Sequence, residues 1–298
     1  MLLWLYTPIK RNKSMQKYLL ALRPTRWLKN LLVLVPIVFS AKFLDLGSLS
    51  RTLLAVVLFS LTASAAYLMN DLFDREKDLA FHTKKLRPIA AKELNVTPVI
   101  VLAFILGILG IVGGFFVEPM LGLVLLGYLV LTLWYSAWLQ NIAVLDIVAL
   151  ALMTTLRVVA GAVVVGISPS AELLFAASAL GILLATAERL KDKRSIVAGV
   201  DTPLVVSTFS SRFLETSLVA SAGLFFLSYV LLSLSSSETA LVKDNSLFYS
   251  SILIFFVAFR FAYVHLGEPD KAPKKDMALI TGILVYCILI VTVFYLVA

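Results

Sequence analysis

Cysteine is almost missing. Cys287 is the one thiol in 298 residues, so no intrachain disulfide can form, and its place in the last apolar run makes it a small apolar filler. Histidine is as scarce, and His82 and His265 are not spaced as a metal-binding pair. Charge is thin as well. Asp, Glu, Lys and Arg make up 15% of the chain and hydrophobic residues 60%, against about 45–50% apolar in soluble domains. That balance excludes an ordinary soluble enzyme and points to an all-α polytopic membrane protein, expected to form one transmembrane domain over residues 1–298. No cleavable signal pattern opens it. The apolar stretch from Met1 to Ile9 is too short, and Lys10, Arg11, Lys13 and Lys17 follow it rather than precede it. Acid is scarcer than base, 18 residues against 26. In a membrane protein that excess suits cytoplasmic loops and anionic headgroups, and no nucleic-acid module accompanies it.

What the chain does have is long apolar runs. Nine spans are expected, near 28–44, 52–70, 97–117, 120–139, 142–166, 171–190, 214–235, 247–266 and 277–297, each about long enough for a ~30 Å hydrocarbon core. They predict a bundle enclosing a central cavity. The first is the weakest, because it is short, contains Pro36 and ends near Lys42. Nine crossings divide the basic residues unevenly: 21 of the 26 fall on the N-terminal side and three (Lys42, Arg51 and Lys243) on the other. The positive-inside rule then places the N-terminus and the long polar loops in the cytoplasm, with the protein in the plasma (inner) membrane.

The most informative stretch runs from Asn70 to Pro88, where the second span ends. On a helix Asn70, Asp74 and Asp78 stack at steps of four, with Asp71 three before Asp74. Three carboxylates and an amide then share one face over roughly 10–12 Å at 1.5 Å per residue. Such acids repel unless a cation shares them, and hard oxygen donors with room for water suit Mg²⁺ carrying substrate phosphates. Lys85 and Arg87 follow closely enough to clamp those phosphates. A solvated loop between helices is the plainer account of these charges. The sorting of acids onto one face at the mouth of an apolar helix favours the metal–phosphate site.

Three further places carry charge near or inside apolar runs. Arg23-Pro24-Thr25-Arg26-Trp27-Leu28-Lys29-Asn30 reads either as an amphipathic anchor or as a segment whose Lys29 and Asn30 face the site. Asp146 and Arg157 lie three turns apart on nearly one face of the fifth span. Their separation, about 16 Å, is too long for a simple pair, so Arg157 is expected to line a polar cavity. The sixth span ends in Glu188-Arg189-Leu190-Lys191-Asp192, a second charged cluster at the cytoplasmic mouth.

The pattern N-D-x-x-D-x-x-x-D at Asn70–Asp78, followed by Lys85-x-Arg87-Pro88, resembles the UbiA superfamily of intramembrane prenyltransferases. Within it the chain looks most like the decaprenyl-phosphate phosphoribosyltransferase branch. That closer likeness rests on Arg23-Pro24-x-x-Trp27-x-Lys29-Asn30, on Thr83 to Ala90, and on Tyr135-Ser136 through Leu145-Asp146 to Arg157-x-x-Ala160-Gly161. Arg260-Phe261 and the loop to Asp276 complete it. In that branch a K-R…E pattern is typical at the end of the sixth span; Arg189 and Asp192 fit the arginine and the acid, whereas Glu188 stands in place of lysine. The resemblance implies attack of a polyprenyl phosphate on the anomeric carbon of phosphoribosyl pyrophosphate, with Mg²⁺ as cofactor. It further implies catalytic roles for Asp71, Asp74, Lys85 and Arg87, and metal ligation by Asp71, Asp74 and Asp78. Substrate contacts would come from Lys29, Asn70, Asp78, Tyr135, Arg157, Arg189 and Asp192. Two other readings stay open: prenyl transfer from a lipid diphosphate to an aromatic or glycerol-phosphate acceptor, and a transporter or lipid-binding protein. No convincing inverted repeat supports the last of these.

Overall fold

Apolar runs in hydrocarbon have to satisfy their backbone groups internally, and a helix does so within one segment. The computed structural model describes residues 13–40, 42–79, 84–197, 204–235, 246–267 and 276–297, and every regular element among them is helical. Lys10, Arg11, His82, Thr83 and loop residues 268–275 lie outside the described residues. α1 (Lys13–Ala21) leads into a 3-10 helix (Pro24–Leu34) and the short α2 (Val35–Phe39). α3 (Leu46–Phe73) and α4 (Arg75–Leu79) carry the acidic motif. α5 (Val96–Val117), α6 (Pro119–Ala137), α7 (Leu145–Val165) and α8 (Ala171–Val197) follow. Then come α9 (Leu204–Thr208), α10 (Ser211–Leu234), α11 (Ser246–Tyr249), α12 (Ser251–Leu266) and α13 (Met277–Val297).

Seven of these stretches are long and apolar enough to cross a membrane: α3, α5, α6, α7, α8, α10 and the segment Leu247–Leu266 that spans most of α11 and α12. α13 contributes a shorter apolar helix over Met277–Val293. Large apolar side chains cover the outside, among them Phe104, Phe116, Ile252 and Leu284, a surface far larger than water tolerates on a soluble monomer. α3 and α7 sit at the centre, with 61% and 67% of their apolar windows buried, against 28% for α5.

The stretch expected as the first span is not one α-helix. Pro36 has no N–H to offer Leu32, and its ring collides with that carbonyl in a continuous α-helix. The chain is therefore 3-10 up to Leu34, and the α-helical turn begins at Val35. Three residues per turn put every third side chain in one row. Arg23, Arg26, Lys29 and Leu32 thus share a row that lines a pocket. Trp27, Asn30 and Val33 form a second row facing α3 and α7, while Leu28 and Leu31 are exposed outward. An α-helix would instead rotate the basic residues progressively away from one another.

Backbone contact fixes this segment. A Cβ placed on Gly161 of α7 would lie 2.0 Å from the Val33 carbonyl oxygen and 2.9 Å from Pro36 Cδ. Gly110 of α5 is comparably tight, with Thr62 Oγ1 of α3 at 2.2 Å from such a Cβ. The Asp45 carboxylate caps α3 by accepting from Ser48 N at 2.8 Å. Replacing Gly161 by Ala is expected to destabilise the protein by about 1–3 kcal/mol, the usual cost of overpacking. Gly223→Ala, which has nothing within 4 Å, should be neutral or mildly stabilising. Thermal unfolding of both variants in detergent checks this, and equal midpoints would show that the crossing has slack.

Candidate active site

The acidic stack survives at the end of α3, with a break. α3 stops at Phe73 and Asp74 is its C-cap. The helical bonds bridge the gap, for Asp74 N–H donates to Asn70 O at 2.9 Å and Asp78 N–H to Asp74 O at 2.7 Å. Asp71 and Asp78 are buried. Arginines match them. Arg23 donates to Asp71 Oδ1 at 2.5 Å, and Arg87 Nη1 donates to both Asp71 Oδ1 at 3.0 Å and Asp78 Oδ2 at 2.7 Å. Burial pulls the Arg23 guanidinium down to about 10 even with Asp71 beside it, which leaves it cationic at neutral pH. The Asn70 Oδ1 is buried without a hydrogen-bond partner among the described residues.

This donor set fits a hard divalent cation. Two carboxylates already share one cationic nitrogen, and an orphaned amide oxygen lies one residue away. Among the described residues, no three acidic, histidine or cysteine side chains are gathered closely enough to ligate a metal as they stand. Arg87 occupies the position between Asp71 and Asp78. Asp74 is half-buried, and Lys85 is exposed on the short turn Lys84–Leu86.

Beside the acidic end lies a polar pocket of about 120 Å³. Arg23 lines it from the cap just before the 3-10 helix, Arg26 and Lys29 from that helix, Tyr67 and Asn70 from α3, Tyr128 and Tyr135 from α6, Arg157 from α7 and Glu188 from α8. Arg23 and Arg26 both stand over the Tyr67 ring, at 5.4 and 5.5 Å. Lys29 is expected at the site from the sequence; Arg23 and Arg26, which precede the expected first span at residue 28 and suit a basic anchor, are not, and the structure adds them to the lining. Lys29 forms a half-exposed ion pair with Glu188.

Arg157 reaches this pocket as expected and is 5% exposed. Its Nε donates to Asn30 Oδ1 at 3.0 Å, Nη1 to Met153 O at 2.6 Å and Nη2 to Tyr128 OH at 3.1 Å. Asp146 is not its partner, in keeping with the expected separation. Asp146, fully buried, is instead gripped by Arg189 through two bonds, Nε to Oδ2 at 2.5 Å and Nη2 to Oδ1 at 2.7 Å. Tyr135 OH donates to Asp146 Oδ1 at 2.8 Å and accepts from Arg189 Nη2 at 2.7 Å, and Arg189 Nη1 donates to Asp192 at 3.0 Å. The predicted residues Tyr135, Arg189 and Asp192 therefore form one network. Its anchor is Asp146, which the sequence reading left out of the site. The backbone just before it is strained: Val144, β-branched, has φ 69° at the N-terminus of α7.

The structure thus brings the two charged motifs to one mouth. Arg87 and Arg189 are both engaged by carboxylates, and Lys85 stands outside the pocket lining.

Residues 31–283 match the UbiA prenyltransferase family. The decaprenyl-phosphate phosphoribosyltransferase of Mycobacterium tuberculosis is 37% identical over 152 residues, covering 48% of this chain and 49% of that protein. Its counterpart in Mycolicibacterium smegmatis is 28% identical over 274 residues, 87% of this chain and 86% of that one. The matches span about half the length or less of several curated relatives. A UbiA homolog from Archaeoglobus fulgidus, solved bound to GPP and Mg²⁺, shares the fold with a TM-score of 0.71 at 18% identity, over 94% of this chain and 99% of that one. With the family matched over most of its length and the family fold shared almost end to end, the chain belongs to the UbiA prenyltransferase family.

Proposed function

We propose that this chain transfers the phosphoribosyl group of phosphoribosyl pyrophosphate to a polyprenyl phosphate, releasing pyrophosphate. One observation carries the reading. Two charge sets of opposite sign adjoin one pocket: the acidic end of α3, and a basic lining of Arg23, Arg26, Lys29 and Arg157 against a single lining carboxylate, Glu188. The acids suit a cation-borne diphosphate, and the basic lining suits a second anion. Similarity to the mycobacterial phosphoribosyltransferases supports the choice of donor and acceptor.

In this reading a phosphate oxygen of the lipid forms a bond to the ribose anomeric carbon while the bond from that carbon to pyrophosphate breaks, the electron pair leaving with pyrophosphate. The nucleophile is already ionised at neutral pH, so no general base is needed. Asn70, Asp71, Asp74 and Asp78 would hold Mg²⁺, which would supply positive charge against the departing pyrophosphate. Arg87 moves from the carboxylates to the diphosphate oxygens, and Lys85 meets the diphosphate from the aqueous side. Asp146 holds Arg189 rigid, so that Tyr135, Arg189 and Asp192 present fixed groups to the substrate. Lys29 exchanges Glu188 for lipid phosphate. We read the broken 3-10–α2 segment and α13 as crossings as well. Nine spans then form one domain around the pocket, in the plasma membrane, with the pocket mouth cytoplasmic.

Purified protein with Mg²⁺, a polyprenyl phosphate and ribose-labelled phosphoribosyl pyrophosphate is expected to move label into lipid. A parallel tube with a polyprenyl diphosphate and 4-hydroxybenzoate should yield no prenylated ring. The reverse outcome would assign the acids to a lipid diphosphate and end this reading. Asp74→Asn is expected to lower turnover by a factor of about 100 or more, the scale on which a lost charge-stabilising group acts, while leaving a monodisperse protein. Near-normal turnover would remove Asp74 from the metal site.

A further inference from the structure

Within that basic lining Arg157 differs from Arg23 and Lys29, each of which is paired with a carboxylate. It is buried, and all three of its hydrogen-bond acceptors are neutral: an amide, a backbone carbonyl and a phenol. None of the described residues brings a carboxylate within ion-pair distance of it. The aromatic rings of Phe59 and Tyr128, at 5.5 and 5.1 Å, offset part of its desolvation. Of the five N–H groups on a guanidinium, these bonds use three, and the group lines the pocket.

Asn30 shows that the missing charge is built in. Its Nδ2 donates to Ser60 Oγ at 3.0 Å, and Ser60 Oγ donates in turn to Val56 O at 2.8 Å. That chain turns Asn30 Oδ1 toward Arg157. An aspartate at the same place, with the Ser60 hydroxyl turned to donate to it, would hold the guanidinium and cancel its charge. The amide fixes the position of the guanidinium and leaves the charge available.

The surroundings name the ligand. Leu32, one step below Lys29 in the 3-10 row, lines both the polar pocket and an apolar chamber of about 150 Å³. Val158, next to Arg157, and Val35 and Phe39, further along the chain, also line that chamber. Leu32 is the wall common to both, so a group with an anionic head at Arg157 and an apolar tail would pass along Leu32 from one to the other. We infer that Arg157, positioned by Asn30 and Tyr128, is a metal-independent binding point for a phosphate monoester, and that this ester is the isoprenoid phosphate whose chain enters the Leu32–Phe39 chamber. The choice of lipid rests on the function proposed above; the anion site itself rests on the geometry.

The test measures binding without turnover. Full-length protein in detergent, with EDTA, is titrated with farnesyl phosphate, farnesol and ribose 5-phosphate. Wild type is expected to bind farnesyl phosphate without metal. Arg157→Gln should weaken this about tenfold to a hundredfold, the scale of lost charge-assisted hydrogen bonds, and should leave farnesol binding unchanged. Since Arg157→Gln removes a buried anchor, Asn30→Asp is the companion variant. It should weaken farnesyl phosphate to a similar degree while its unfolding midpoint stays at or above wild type, which a purely structural Arg157 would not produce. The inference falls if farnesyl phosphate binds both variants like wild type, if its binding requires Mg²⁺, or if only ribose 5-phosphate depends on Arg157. Label transfer is scored separately. Binding that depends on Arg157 beside failed ribosyl transfer would overturn the donor and leave this site standing.

Discussion

A charge carried into a hydrocarbon-bounded bundle has to be met by a partner from another element, because water is not there to do so. That constraint organises the polar half of this molecule. Asp71 on α3 is met by Arg23 from before the 3-10 helix and by Arg87 from beyond α4. Asp146 on α7 is met by Arg189 on α8, and Glu188 on α8 by Lys29. Each pair ties two elements together, so residues offered to substrate also fix the tertiary structure. Losing one partner strands the other, at a cost of about 3–5 kcal/mol for a buried pair. An anion or cation that enters must therefore replace a partner as it breaks a pair, which links binding to local rearrangement.

α8 extends this logic to the C-terminal helices. Five residues beyond Arg189, Arg194 donates to the carbonyls of His265, Leu266 and Gly267 at 2.5, 2.9 and 2.8 Å. These are the orphan acceptors at the negative end of α12, where a guanidinium is the natural cap. At the start of α13 the Asp276 carboxylate accepts from Leu279 N at 2.7 Å and from Arg260 Nη2 at 2.8 Å. The Arg260 bond is the main reason its carboxyl lies below the usual range. One helix thus carries a wall of the site on one stretch and the anchor of the last helices on the next.

Much of this was legible from the chain alone. Continuous apolar runs located α5, α6, α7 and α10 to within three residues, since hydrocarbon thickness sets their length, whereas α3 begins six residues before its run and α8 continues seven beyond its own. The acidic motif announced itself by spacing, and Arg157 by its position deep in an apolar run. Other features were hidden for physical reasons. The 3-10 row depends on Pro36 and on the Gly161 crossing, and a proline in a short apolar run does not reveal which helix precedes it. The grip of Arg189 on Asp146 joins residues 43 apart in sequence, and only the packing of α7 on α8 brings them together. The arginines on Asp71 were hidden too, because spacing shows which charges lie close along one helix and not which cross from others.

The two charge sets are each unfavourable taken alone. Asp71, Asp74 and Asp78 crowd the C-terminal end of α3, where the helix dipole already adds negative charge and a stabilising sequence would place Lys or Arg. Arg157 sits buried beside an amide where an aspartate would neutralise it. Arg23 and Arg87 offset part of the first set, and departures from local electrostatic optimum concentrate at functional sites. On the function proposed above, a cation would complete the first set and an anion the second. Arg26 and Lys29 lie along a helix whose pitch keeps both on the pocket, and Arg23, at its cap, joins them there. On that proposal a metal-borne diphosphate and a lipid phosphate would satisfy both ends at once, whereas an uncharged acceptor would leave Arg157 uncompensated.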